Sequence, residues 1–366
     1  MKFSRNLKLL GIAAISLSSF VLVYATSIDA PSQALVAESA QSDDRIFAPA
    51  RMNEKRQFLN LDPERSSGSA AVRIAFMVRR FGTWFRSGAD APKRVDNDGE
   101  YLKRNRSEAT ITWVGHATLL VQMDGMNFLT DPIWSNTPSP VPFVGPRRWV
   151  APGIKLSALP PIDFVVISHN HFDHLDLPTL RDLAALRKET VFLVPTGNGQ
   201  LLRDAGIASV REMNWGDVLT LKHVTVHCLP TQHWSKRSLT DTRKSLWASW
   251  AITGSEKKFY FAGDTGYFSG FETIGARLGP FDLAAVPVGA YEPTEMMQGS
   301  HLNPEEAVQA ALDVRAKSAV AIHYGTFDLS DEPLSDPPKR FKAAAANATT
   351  GELDGWTLNV GETRLF

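Results

Sequence analysis

The sequence predicts an α/β fold, and three observations predict it. From Thr110 onward, short apolar and β-branched runs recur between turn residues, the spacing of strands. Further along the chain such runs alternate with amphipathic segments of helical period, as in a sheet with helices on its faces. Of 366 residues, 43% are hydrophobic and 21% charged, enough apolar material for a large core and too little charge for general disorder. The 39 Lys+Arg balance 39 Asp+Glu, so the basic excess of a nucleic-acid-binding domain is missing.

The N-terminus reads as an export signal. Lys2, Arg5 and Lys8 precede an uncharged stretch, Leu9 to Ala25, that ends in a small-residue cleavage site. An uncleaved membrane anchor is the alternative reading of residues 1–25. Either places the catalytic part outside the cytoplasm, in the periplasm or on the outer face of the inner membrane. Residues 26–108 read as an extension. It begins with a polar tether to about Pro49 and contains an amphipathic helix over 70–85. In that helix Ile74, Met77, Val78, Phe81 and Phe85 share one face, while Arg73, Arg79 and Arg80 lie elsewhere. Such a stripe commonly packs on a protein core; a basic amphipathic helix also suits a lipid surface.

The main domain, 109–366, opens with strands at Thr110–Val114, Thr118–Met123 and Asn127–Thr130, with Asp124-Gly125 as a hairpin turn. A long Pro-rich loop, Ser135–Gly153, follows. Later strands are expected at Phe164–Ser168, Val191–Val194, Val224–Leu229, Leu246–Thr253, Lys258–Ala262, Leu283–Val288 and Ala319–His323, with Thr357–Asn359 closing the sheet. Helices are expected at Thr179–Lys188 and Pro304–Val314, the second started by Asn303 with Glu305 and Glu306 in its first turn.

The strongest chemical signal is Ser168-His169-Asn170-His171-Phe172-Asp173-His174, directly after an apolar strand. Three imidazoles and a carboxylate this dense suit a metal, because neutral imidazole and carboxylate are both common zinc ligands. The lone Cys228 excludes a Cys-rich site and any intramolecular disulfide. Further ligand types stand where an apolar strand gives way to a polar loop: His233 in PTQHW, Asp264 in FAGDTG and His323 in AIHYGTF.

Together these segments resemble the metallo-β-lactamase fold hydrolases, whose hallmark His-x-His-x-Asp-His is matched by HNHFDH. The longer strings TWVGHATLLVQMDGMNFLTDPIWS, PTQHWSKRSLTDTRKSLWASW, FYFAGDTGY and AIHYGTF are similar to one branch, the N-acylphosphatidylethanolamine-hydrolysing phospholipases D. The resemblance implies a four-layer αββα sandwich with two zinc ions at one edge. His169, His171 and His233 would bind the first, and Asp173, His174 and His323 the second, with Asp264 bridging. It also implies attack of a zinc-bridging hydroxide on phosphorus, giving N-acylethanolamine and phosphatidic acid, with His301 near the substrate. Asp173, Asp264 and His301 thereby take the catalytic positions.

Other readings stay open. Asp131, in LTDPIW, is either the carboxylate that orients a ligating histidine or an Asp-Pro turn. His116 lies at the site edge or in the core. Lys236 and Arg237 either neutralise phosphate or are solvated surface charge. His223, His227 and Cys228 read as structural. The Pro138–Trp149 loop, with Val141, Phe143, Val144, Arg147, Arg148 and Trp149, suits a membrane surface or a homodimer contact. The same site on a lactone, a β-lactam or a small phosphodiester is the alternative activity, and a non-catalytic lipid-binding protein the alternative class.

Overall fold

Strand residues that alternate between two buried faces need apolar cover on both sides, and the chain supplies it. In the computed structural model, which describes residues 36–37, 45–63, 68–83, 90–141, 145–348 and 352–366, strands β1 (Val36–Ala37), β8 (Val218–Leu221), β9 (Val224–Leu229), β10 (Ser249–Thr253), β11 (Lys258–Phe261), β12 (Phe281–Pro287), β13 (Ala316–Ile322) and β14 (Asp354–Trp356) form one sheet in that order. The second sheet runs β15 (Thr363–Leu365), β2 (Thr110–Gly115), β3 (Thr118–Met123), β4 (Met126–Thr130), β5 (Phe164–Val166), β6 (Val191–Pro195) and β7 (Val210–Met213). Both sheets are mixed. β2, β3 and β4 pair as antiparallel hairpins, then β4 to β7 run parallel; β9 to β11 are antiparallel, then β11 to β14 parallel.

The side chains show the layers. Along β3, β4 and β6, Leu119, Val121, Phe128 and Leu193 join the core between the sheets, with Trp250 and Phe259 of the facing sheet. Their neighbours Leu120, Leu129, Phe192 and Val194 point the other way, onto Leu180, Leu183 and Leu202. Those leucines belong to α3 (Leu177–Leu186) and α4 (Gly199–Asp204). On the far side of the first sheet lie α5 (Gly270–Leu278), α7 (Pro304–Asp313) and α8 (Asp336–Ala346), which contribute Ile274, Ala311 and Phe341. This is the expected αββα sandwich. Two short helices, α2 (Glu100–Arg104) and α6 (Thr294–Met297), complete the list with α1 (Ala70–Thr83). Phe58 and Leu102, from the segment preceding β2, are also buried in these cores.

Element ends differ from expectation for physical reasons. Asn303 caps α7 with a full capping box to Glu306, at 2.8 and 3.2 Å. β10 begins at Ser249 rather than Leu246, because Leu246 N donates to Thr196 O and Ala248 N to Ser168 O, in loops of the other sheet. Thr357–Asn359 is not a strand. The chain pairs just before it, as β14, and just after it, as β15, so the last residues serve both sheets.

The amphipathic helix is the main correction. α1 does not bury its apolar stripe: Ile74, Met77 and Val78 are 63%, 68% and 70% exposed. Its basic face is the docked one. The Arg80 guanidinium is buried against Asp328 and the carbonyls of Asp328 and Ser330, and Arg79 pairs with Asp331 at 2.5 Å. Residues 1–35 and 38–44, which hold the export signal and all of the tether before residue 45 except β1, lie outside the described residues, as do Phe85, Phe143 and Val144 and the side chain of Phe81. Among the described residues no helix is long and apolar enough to cross a membrane.

Candidate metal centre

Every candidate ligand sits beyond the end of a strand at one edge of the sandwich. β5 leads into the loop of His169, His171, Asp173 and His174. β9 leads to His233, β11 to Asp264, β13 to His323 and β4 to Asp131, while His116 turns between β2 and β3. Asp131, His116 and His323 adopt φ values of 36°, 53° and 62°. Such conformations are uncommon for non-glycine residues and cluster at functional sites. Two glycines permit the close packing behind them. A Cβ on Gly289 would stand 2.2 Å from His323 O, and one on Gly263 would stand 2.6 Å from Ser168 Cβ.

The structure gathers four of the candidate histidines around one carboxylate oxygen, with His171 and Asp173 beside them. Asp264 Oδ2 lies 3.2 Å from both His174 Nε2 and His323 Nε2, 3.8 Å from His233 Nε2 and 3.9 Å from His169 Nε2. On one side His169 Nε2 and His233 Nε2 converge on His171 Nδ1 at 2.8 and 3.3 Å. On the other, Asp173 Oδ2 lies 3.3 Å from His174 Nε2 and 3.4 Å from His323 Nε2. Donor atoms of His169, His171 and His233 thus form one group, and those of Asp173, His174 and His323, with His116, another.

The outer nitrogens fix ring orientation. His174 Nδ1 lies 2.6 Å from Asp131 Oδ2, His233 Nδ1 donates to Ser300 O at 2.8 Å, and His169 Nδ1 meets Ser168 Oγ at 2.9 Å. Each such bond leaves Nε2 facing inward, the arrangement that outer partners impose on ligating histidines. Asp131 also accepts from Ser168 N at 2.6 Å and Ser168 Oγ at 2.5 Å, so it ties the strand end to the His-rich loop. His116 is wholly buried, and its Nε2 is 2.9 Å from Asp173 Oδ2, inside the site rather than at its edge.

Arg237 does not line the cavity over the metal centre, and it is half-buried rather than solvated. Its Nη1 donates to Asn170 O and Leu175 O at 3.0 and 2.8 Å, and its guanidinium stacks 4.1 Å from the Phe172 ring centroid. It clamps the loop that carries the ligands. The sequence marks Arg237 only by its place shortly after His233, which carries no such information; only the tertiary fold does. Arg148 is likewise committed, donating to Ser135 O and Ile133 O.

The electrostatics of the cluster ask for positive charge. Burial opposes it, yet the carboxylates of Asp264, Asp173 and Asp131 hold His174 well above the ordinary histidine value. Against the same burial, Asp264 and Asp173 push His323 up to about 9. Asp173 and Asp264 stay far below the usual carboxylate range in spite of burial, held down first by His174. His169 and His233 are driven well below the ordinary value, chiefly by burial, and so remain neutral donors. Asp264 Oδ1, His171 Nε2, His174 Nε2 and His323 Nε2 are buried without a hydrogen-bond partner. A buried set of imidazoles held against ionised carboxylates, with ring nitrogens and a carboxylate oxygen left unpartnered, fits divalent metal ions, which would supply the positive charge in place of protons.

A cavity of about 660 Å³ opens over this centre. His301, Phe172, Trp234, Met296 and Met297 line it, and Arg73 of α1 reaches its rim. His301 Nδ1 is 4.0 Å from Asp264 Oδ2.

A two-sheet sandwich with this edge site defines a metal-dependent hydrolase, and residues 126–324 match the model of the beta-lactamase superfamily domain; the chain belongs to that superfamily. Over 242 residues it is 43% identical to N-acyl-phosphatidylethanolamine-hydrolyzing phospholipase D 1 of Caenorhabditis elegans, a match covering 63% of this chain and 68% of that protein. It is 44% identical over 244 residues to an uncharacterised protein of Mycobacterium tuberculosis, covering 65% of this chain and 64% of that one. The chain thus spans about two thirds of the length of these curated relatives. Igni18, a metallo hydrolase from the archaeon Ignicoccus hospitalis, superposes with a TM-score of 0.55 at 22% identity, covering 71% of this chain and 99% of that one. That likeness concerns the fold.

Proposed function

We propose that this chain is a phosphodiesterase of the phospholipase D type that hydrolyses N-acylphosphatidylethanolamine. The observation that carries the reading is the cavity itself. Its floor is the metal centre, its walls are the apolar side chains of Phe172, Trp234, Met296 and Met297, and its rim is reached by a helix with an exposed apolar face. A phosphate on the floor, acyl chains along the walls and a membrane beyond the rim fit that layout. The branch containing the Caenorhabditis elegans relative supports the substrate.

In this reading His169, His171 and His233 would hold one zinc ion, and Asp173, His174 and His323 a second, with Asp264 between them. Bound there, zinc would acidify a water to near neutrality and offset negative charge gathering on phosphate. The chain's own residues do the positioning. Asp131, Ser168 and Ser300 fix the rings of His174, His169 and His233. Burial lowers His301 to about 4, so its imidazole is neutral at pH 7 and donates an N–H to a phosphate oxygen. Phe172 and Trp234 give the approach to the floor an apolar lining. Water cleaves the P–O bond to the ethanolamine side, and the products are N-acylethanolamine and phosphatidic acid. The exposed Ile74, Met77 and Val78 would meet the bilayer, on the extracytoplasmic side if residues 1–25 direct export.

The test presents N-acylphosphatidylethanolamine in mixed micelles to the zinc-loaded chain, beside nitrocefin and a lactone. Mass spectrometry follows both lipid products, with Asp264→Asn as the blank. Release of both, lost in the variant, supports the reading. Lipid left intact while a lactam or lactone opens keeps the metal centre and sinks the substrate.

A further inference from the structure

We propose that a second cavity, adjoining the catalytic one and sharing Phe172 with it, is a binding site for a phosphate group. This cavity measures about 800 Å³ and contains none of the candidate metal ligands. Four arginines line it: Arg147, Arg148, Arg181 and Arg237. Arg148 and Arg237 are fixed by backbone carbonyls, which hold each guanidinium in place without taking up its charge. Arg147 and Arg181 are exposed, and among the described residues their guanidiniums form no hydrogen bond or ion pair.

The single lining carboxylate, Asp176, acts on Arg148 and Arg237, but one negative charge does not cancel four positive ones. Asp176 accepts from Ser135 N and Ser135 Oγ at 3.1 and 2.8 Å and from Thr179 Oγ1 at 2.5 Å, and makes no ion pair with any of the four arginines. The first turn of α3 adds to the positive side. Leu177 and Pro178 line the cavity at the start of that ten-residue helix, where its dipole favours an anion. The donors come from three separate stretches of chain, at 147–148, 181 and 237. Several guanidiniums around one cavity suit a phosphate, which offers three or more acceptor oxygens to a carboxylate's two. Phe172 lies between His171 and Asp173, so an occupant touches the loop that carries the metal ligands. A lipid headgroup and free phosphate offer the same chemistry here.

Calorimetric titration of the full, metal-loaded chain tests this. The probes are inorganic phosphate, dihexanoylphosphatidic acid below its micellar concentration, and dihexanoylphosphatidylcholine as the zwitterionic control. The variants are Arg147→Gln/Arg181→Gln and Asp264→Asn. Both arginines are exposed, so thermal melting should be unchanged; Arg181→Glu gives an independent check by charge reversal. We expect a binding component that weakens about tenfold or more in the double variant, persists in Asp264→Asn and weakens with added salt. Phosphatidic acid binding at least tenfold tighter than inorganic phosphate would identify a lipid headgroup as occupant; equal affinities would identify free phosphate. Superimposable isotherms for wild type and double variant would overturn the site. So would loss of the component in Asp264→Asn, which would assign it to the metal centre, or equal binding of phosphatidylcholine. None of these outcomes depends on which substrate the metal centre hydrolyses.

Discussion

Asp131 Oδ2 and His174 Nδ1 are 2.6 Å apart, both side chains fully buried, and on the opposite side of the same ring His174 Nε2 faces Asp264 Oδ2 at 3.2 Å. One imidazole is thus held from behind by one carboxylate and presented to another. Asp131→Asn keeps the shape and removes the charge. Metal affinity should fall about 10–100-fold, the usual cost of losing such an orienting partner. Chelator competition on purified protein checks this, and unchanged affinity would assign Asp131 to loop structure alone.

Arg237 predicts a different kind of loss. Its two carbonyl bonds and its stacking on Phe172 hold the ligand loop closed. Arg237→Ala removes all three contacts and should destabilise the protein by roughly 2–3 kcal/mol. Arg237→Lys should recover little, because a point charge replaces a planar fork. Denaturant melts of the two variants decide it; a full recovery by lysine would mean that charge alone is used.

The exposed face of α1 makes the opposite prediction. Ile74→Asp and Val78→Asp alter side chains more than 60% exposed. They should change folding stability by no more than about 0.5 kcal/mol. Co-sedimentation with anionic vesicles should drop several-fold, and activity on dispersed lipid should drop with it. Arg80→Ala, which frees the docked side of the helix from Asp328, should lower stability instead. Vesicle binding that survives both aspartate variants would remove α1 from the membrane-facing surface.

These outcomes bear on what a sequence can disclose. The His169–His174 loop and the strand-end positions of His233, Asp264 and His323 were legible because ligand chemistry and strand ends coincide within a few residues. Antiparallel strands such as Thr118–Met123 were legible because hairpin turns bound them on both sides. The direction of α1 was not legible. Its period showed an apolar and a basic face, but which face docks depends on Asp328 and Asp331, some 250 residues away. The clamp at Arg237 is of the same kind. Its partners are backbone carbonyls, which every residue has, so no side-chain pattern announces them. The region 354–365 was misread because strand pairing there is split between two sheets, leaving no run long enough to show alternation.

His227 sets an acid limit on the fold away from the metal centre. Burial, with Lys258 adding like charge, lowers it to about 4. Its Nδ1 is buried without a partner, and its Nε2 meets Thr253 Oγ1 at 3.4 Å. The unfolded chain takes up the proton near the ordinary value of 6.5, whereas the folded chain resists until about 4. The unfolded state therefore binds more protons across that interval, and stability falls as pH drops. The contribution is complete above pH 6.5 and lost by about pH 4, with a ceiling of roughly 3 kcal/mol at 1.36 kcal/mol per unit. In His227→Gln this titration is gone. The difference in unfolding free energy between wild type and variant, measured by urea melts from pH 7 to 4 with metal held saturating, should shift by roughly 1–3 kcal/mol in the variant's favour as the acid end is approached. Parallel pH profiles would show that His227 accepts its proton in the folded protein as readily as in the unfolded chain.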